Sequence, residues 1–205
     1  MPQTLTLPYV GRPDPLRLIP YSECRDSIHT GMLALFSGPG EGFLDNVVVD
    51  AIERITNSAY YHSSLCGWEN EGRVLLLAES TTPESRVVTL SSRIRLHPGS
   101  IDLYQLRPEI ASQVDFSKAW EFLLRASGTD YPEAQLAHDW LTIRGLDRGH
   151  EPNSDDPETR RVCSQLVHAG LRVAGMPPIR ERDCEIYPAT LADPGWFQYV
   201  FSPTV

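Results

Sequence analysis

The 205-residue chain has a formal net charge of -9, a hydrophobic share of 41% and a charged share of 22%, values ordinary for one globular domain with a sizeable core. The acidic balance excludes a nucleic-acid partner that would be recognised through a basic stripe. Cys24, Cys66, Cys163 and Cys184 are scattered without a CxxC pair, so reduced thiols are expected rather than a zinc site or a disulfide framework.

Pro2, Pro8, Pro13, Pro15 and Pro20 make the start of the chain extended or irregular, and residues 1–26 are read as a Pro-rich arm draped on a domain spanning 27–205. The arm has neither a basic start nor a continuous apolar run, and no stretch approaches the ~20 apolar residues of a membrane span. The expectation is a cytoplasmic protein without a transmembrane segment.

Gly31-Met32-Leu33-Ala34-Leu35-Phe36-Ser37-Gly38 is a short apolar run closed by a turn and reads as a buried strand. Phe43, Leu44, Val47, Val48, Ala51, Ile52 and Ile55 then recur at helical spacing, with Asp50, Glu53 and Arg54 facing outward. Ser58 to Trp68 and Arg73 to Ser80 are two strand-like runs joined by Glu69-Asn70-Glu71-Gly72, a β-hairpin. A turn centred between Asn70 and Glu71 sets His62 opposite Glu79. A two-residue shift makes them diagonal neighbours on the same face, and only an odd shift separates them.

Short strands are expected at Arg86–Leu90, Ile94–Leu96 and Ile101–Leu106. Phe116–Ala126 reads as an amphipathic helix with Phe116, Ala119, Trp120, Leu123 and Leu124 inward, and Pro132–Leu146 as another opened by its proline. An acidic, turn-rich loop over 147–159 leads to a helix over 162–174. There Val162, Leu166, Val167, Ala169, Leu171, Val173 and Ala174 form a broad apolar face, ended by Gly175 and Pro177-Pro178. Trp196, Phe197, Tyr199 and Val200 close the domain as a buried segment.

Cys163 falls in the first turn of its helix, among unpaired N–H groups at the positive end of the dipole. That environment, with Arg160 and Arg161 beside it, favours a thiolate, and the same N–H groups suit an oxyanion. A helical Cys is more often a small buried apolar residue; His62 and Glu79 tip the reading. Together the three are the parts of a thiol-hydrolase triad: nucleophile, general base, and the carboxylate that orients the base. Tyr60, Tyr61, Ser164 and Cys66 are candidates to line the substrate cleft. Asp155, Asp156 and Glu158 are candidates to attract a cationic group, and His168 reads as surface or packing.

The segments Gly31–Gly38, Ser58-Ala59-Tyr60-Tyr61-His62-Ser63, Leu76-Leu77-Ala78-Glu79 and Val162-Cys163-Ser164-Gln165-Leu166-Val167, in that order, resemble the circularly permuted branch of the NlpC/P60 papain-like cysteine hydrolases. These are the YiiX/YaeF-like proteins, relatives of the lecithin-retinol acyltransferase group, in which the His-bearing strands precede the Cys-bearing helix. The resemblance spans roughly residues 27–200. It implies an α+β fold, with a small antiparallel sheet or half-barrel packed against helices that include the one carrying Cys163.

It also implies Cys163 as nucleophile, His62 as base, Glu79 as third polar residue, and no metal or organic cofactor. The expected reaction is cleavage of an amide in a peptide or peptidoglycan fragment through an acyl-enzyme. The alternatives are a lipid or ester acyl hydrolase or acyltransferase of the same fold, and a catalytically inactive binding module. The polar segment Ser63-Ser64-Leu65-Cys66 after His62 motivates the last of these.

Overall fold

Along Leu33-Ala34-Leu35-Phe36 successive side chains enter opposite cores: Leu33 and Leu35 pack into one apolar cluster, Ala34 and Phe36 into another. A strand covered on both faces has no polar side, which is why this stretch of sequence is apolar without alternation. The computed structural model describes residues 9–40, 43–132, 154–180 and 185–205.

Its strands are β1 (Leu18–Pro20), β2 (Leu33–Ser37), β3 (Tyr60–Glu69), β4 (Val74–Ser80), β5 (Ser85–Thr89), β6 (Ser100–Leu106) and β7 (Phe197–Thr204). The helices are α1 (Tyr21–Cys24), α2 (Phe43–Thr56), α3 (Leu90–Leu96), α4 (Pro108–Ala111), α5 (Phe116–Arg125), α6 (Cys163–Val173) and α7 (Pro188–Leu191). The fold is α+β. The strands form one sheet in the order β1-β7-β6-β2-β3-β4-β5; β1 pairs with β7 in parallel and all other pairs are antiparallel. The sheet is therefore larger than the small antiparallel one expected, and mixed at one edge.

One face carries α5 and α6: Trp120, Phe122 and Leu123 meet Leu166, Val167 and Leu171 over Leu33, Leu35, Leu65 and Ala78. The other buries Cys24, Ile28, Phe36, Cys66, Leu77 and Leu90. Close approach of α5 to the sheet depends on Gly67, where a Cβ would fall 2.2 Å from the Trp120 ring. On the α5 side of the sheet, α6 is enclosed along most of its length, every residue from Cys163 to Leu171 being buried. His168 belongs to that packing: fully buried, it accepts a hydrogen bond at Nε2 from the Ile179 N–H, 3.2 Å away.

Several expectations need correction. Ile94–Leu96 is not a strand but the end of α3, whose N-cap Thr89 accepts from the Ser92 N–H; the cap reads through the β-branched pattern that suggested extension. Val173 and Leu124 are each 37% exposed rather than inward, and Ala51 is exposed, while Phe122 and Val49 are buried in their stead. The helix expected over 132–146 lies, beyond Pro132, outside the described residues, as does Cys184.

The N-terminal arm is more than a drape. Its β1 extends the sheet, and Arg12 reaches the fully buried Asp102 with Nε and Nη2 at 2.8 and 2.7 Å. Asp102 also accepts from the Tyr60 hydroxyl at 2.8 Å and from the Ser202 hydroxyl. Among the described residues no helix is long and apolar enough to cross a membrane.

Candidate active site

The β3–β4 hairpin turns on Asn70, Glu71 and Gly72, all with positive φ, and this loop pairs Ser64 with Glu79. The register is thus shifted by two from a turn centred between Asn70 and Glu71. His62 and Glu79 become diagonal neighbours on one face, the arrangement the side-chain period of two preserves. His62 Nε2 lies 3.1 Å from Glu79 Oε2. That leaves Nδ1 as the ring nitrogen able to serve the thiol.

Cys163 reaches the same ring from the opposite side of the sheet, and the ladder explains how. The N–H and C=O of Cys66 bond toward β2, to Met32 O and Gly31 N, so odd-numbered residues of β3 direct theirs toward β4. The paired residues of the β3–β4 ladder end at Ser64 and Glu79. Past that point the chain entering α6 takes the space, anchored by the Ser80 hydroxyl on Arg161 O at 2.6 Å. The Ser63 N–H, which would have continued the ladder, instead lies beside the Cys163 sulfur, where it favours the thiolate.

The electrostatics follow from this packing. Burial would push the Cys163 thiol up, but the adjacent His62 and hydrogen bonding from Ser63 outweigh it and lower its pKa. Burial would likewise lower that of His62. The Cys163 sulfur and the Glu79 carboxylate outweigh it and push the imidazole up to about 9. The two shifts run in the directions that favour a thiolate beside an imidazolium. Burial opposes the charge on Glu79 too, but His62, Arg93 and Arg86 hold its carboxyl down at about 2. Cys163 and His62 remain 7% and 9% exposed, so the pair sits at the rim of the core and is not sealed within it.

At the start of α6 the cap is Val162, which has no side-chain acceptor, while its own N–H donates to Gln165 Oε1 at 3.3 Å. The first-turn N–H groups beside Cys163 therefore have no side-chain cap competing for them. Arg160 and Arg161 do not serve the thiol. Arg160 pairs with Asp130 at 2.7 Å, and Arg161 folds back onto the carbonyls of Ser154, Asp156 and Thr159.

Of the candidates to line the cleft, Tyr61 alone keeps a partly exposed ring next to His62, their centroids 6.5 Å apart. Tyr60 is fully buried and its hydroxyl serves Asp102. Cys66 is fully buried in the far core, where burial raises its thiol pKa. Ser164 is buried and donates to Ile186 O at 2.7 Å. None of these three presents surface to a substrate. Asp155 is taken by Arg172 at 2.5 Å, and Asp156 caps the Glu158 N–H at 2.9 Å, so the acidic loop spends part of its charge internally.

Sequence reasoning missed three residues of the site. Ser63, fully buried, has a hydroxyl without a regular hydrogen-bond partner that lies close enough to favour the thiolate. Arg86 and Arg93 converge on Glu79. Arg86 had a signal in principle, since β5 pairs it directly with Glu79; Arg93 had none, because its position depends on α3 being a helix.

A groove of about 590 Å³ elsewhere is lined by Tyr9, Arg12, Ser37, Gly38, Glu53 and Ser100 among others, and includes neither Cys163 nor His62. Among the described residues no group of three or more His, Cys, Asp or Glu is placed to hold a metal ion. Searches of family models and of curated proteins found no match to this chain.

Proposed function

We propose that the chain is a cysteine hydrolase that cleaves an amide bond, in a peptide or peptidoglycan-type substrate, through an acyl-enzyme. The observation that carries this reading is the meeting of the Cys163 thiol, the His62 imidazole and the Glu79 carboxylate, distant in sequence, at a helix start. The Cys163 sulfur attacks the carbonyl carbon, and the N–H groups at the start of α6 receive the negative charge that moves onto oxygen. Collapse of the tetrahedral intermediate breaks the C–N bond as His62 gives its proton to the leaving nitrogen. Neutral His62 then takes a proton from water, whose oxygen attacks the thioester, and the acid departs with the thiolate restored. Glu79 holds the ring in the orientation this exchange needs.

The order of the parts, with the His and Glu strands before the Cys helix, supports placement with the circularly permuted NlpC/P60 branch of papain-like hydrolases. An ester or lipid acyl group would react by the same steps, and the amide reading is preferred because among the described residues no amphipathic basic helix offers a membrane surface. The test is covalent trapping. An epoxide or acyl electrophile is expected to add once, at Cys163, by intact mass and peptide mapping, and a Cys163→Ala variant should lose amide hydrolysis. A wild-type protein left unmodified at Cys163, or undiminished turnover in Cys163→Ala, overturns the reading.

A further inference from the structure

Glu79 has no exposed surface, yet two guanidinium groups reach it from separate elements. Arg86 on β5 places Nε and Nη2 at 3.0 and 2.8 Å from Oε1. Arg93 on α3 places Nε 3.4 Å from Oε2, the oxygen that His62 also addresses. The Ser64 hydroxyl completes the shell at 3.5 Å from Oε2. The Arg93 guanidinium further lies over the Phe36 ring at 5.2 Å, and that ring meets His62 edge-on with centroids 4.9 Å apart. A carboxylate needs one cation to be neutralised. Here it has two arginines besides the His62 imidazole.

We propose that Arg86 and Arg93 are positioning residues of the triad: they fix which Glu79 oxygen faces His62 and, by their positive charge, set how strongly the imidazole holds its proton. The inference rests on the hydrolase reading and deepens it. Arg86 occupies Oε1 with two donors from one side, so the carboxylate cannot rotate and Oε2 stays aimed at the ring. The second guanidinium leaves the buried cluster with surplus positive charge, which opposes over-stabilisation of the imidazolium by Glu79. A base held too tightly would fail to give its proton to the leaving group, because general acid–base catalysis works best with a pKa near the operating pH.

The charged and titratable groups that face His62 and Glu79 come from every neighbouring element. Among the described residues they are Cys163 from α6, Arg86 from β5, Arg93 from α3, and Tyr61 from β3 with its hydroxyl 3.4 Å from His97 Nδ1. β2 contributes only Phe36. Removing one cation raises the cost of each deprotonation nearby, so both steps of the thiol–imidazole pair move in the same direction.

The experiment is the rate of Cys163 alkylation by iodoacetamide, read by intact mass from pH 4 to 11, for the wild type and for Arg86→Met, Arg93→Met and Arg86→Lys. In the methionine variants both inflections of the pH–rate curve are expected to move upward by about half a unit or more. Arg86→Lys keeps the charge and should hold the inflections near their wild-type positions, while the loss of two-donor geometry lowers amide turnover.

Folding of each variant is checked by its near-UV circular dichroism. If Arg86→Met does not fold, the shift in Arg93→Met decides. Wild-type inflections that persist in the folded methionine variants overturn the proposal and leave the hydrolase reading intact. A wild-type Cys163 that alkylates no faster at pH 6 than an ordinary thiol overturns the hydrolase reading instead.

Discussion

Cys163 shows what one residue takes from its surroundings. Burial alone makes a thiol less acidic, as happens at Cys66, yet Cys163 moves the other way because His62 and Ser63 converge on its sulfur. Amide hydrolysis should therefore follow a bell-shaped pH profile. Its acid limb lies below the ordinary thiol range, and activity falls as pH rises through about 9, where His62 loses the proton the leaving group needs; steady-state rates across pH 4 to 10 check this.

Replacing Ser63 with Ala removes a hydroxyl but keeps the backbone donor. The expected loss is about 1 kcal/mol of thiolate stabilisation, near fivefold in alkylation rate below the inflection. Glu79 offers a second test with a definite sign. Its pKa falls from 4.5 to about 2 on folding, so its contribution to stability is complete above about 4.5 and is lost as pH falls toward 2. Glu79→Gln should abolish that part of the acid dependence in urea melts. It should also lower stability at neutral pH by about 3 kcal/mol, because Arg86 and Arg93 would face an amide.

At the scale of elements, the hairpin and the α5–sheet contact carry the site. The β3–β4 turn sets the register that brings His62 to Glu79, and it holds Glu71 at φ 57°, a left-handed conformation that Asn tolerates better. Glu71→Asn should raise stability by about 0.5 kcal/mol in a denaturant melt, without altering Cys163 reactivity, since its neighbours on the turn are exposed. Gly67→Ala should do the opposite. Its methyl would enter the Trp120 ring at 2.2 Å, forcing α5 away from β3 at a cost of about 3 kcal/mol. Because α5 packs against α6, the displacement should also slow alkylation of Cys163, a coupling that distinguishes it from a purely local loss.

Over the whole molecule, Asp102 ties four parts of the chain together: the arm through Arg12, β3 through Tyr60, β7 through Ser202, and β6 on which it stands. A buried carboxylate with this many donors acts as a clamp, and its removal strands each of them. Asp102→Ala is expected to cost about 4 kcal/mol and to free the segment before residue 18, seen as new cleavage sites there in limited proteolysis. A variant as stable and as resistant as the wild type would show that the arm is held without Asp102, by β1 and by the Val10 backbone bonds to Asn57 and Ala59.

Local pattern sufficed wherever a segment's neighbours in sequence are its neighbours in space. The helices over 43–56 and 116–125, the strand at 33–37 and the hairpin are legible because periodicity and turn residues are local quantities. The parity that keeps His62 and Glu79 on one face is local for the same reason. What sequence could not decide was anything set by packing across the sheet. The joining of β1 to β7, the helical state of Ile94–Leu96, the retreat of Arg160 and Arg161 from the thiol, and the convergence of Ser63, Arg86 and Arg93 all depend on contacts between distant segments. Periodicity tells a residue which face it occupies. Only the tertiary fold decides what stands opposite that face, and the chemistry of Cys163 follows from the second.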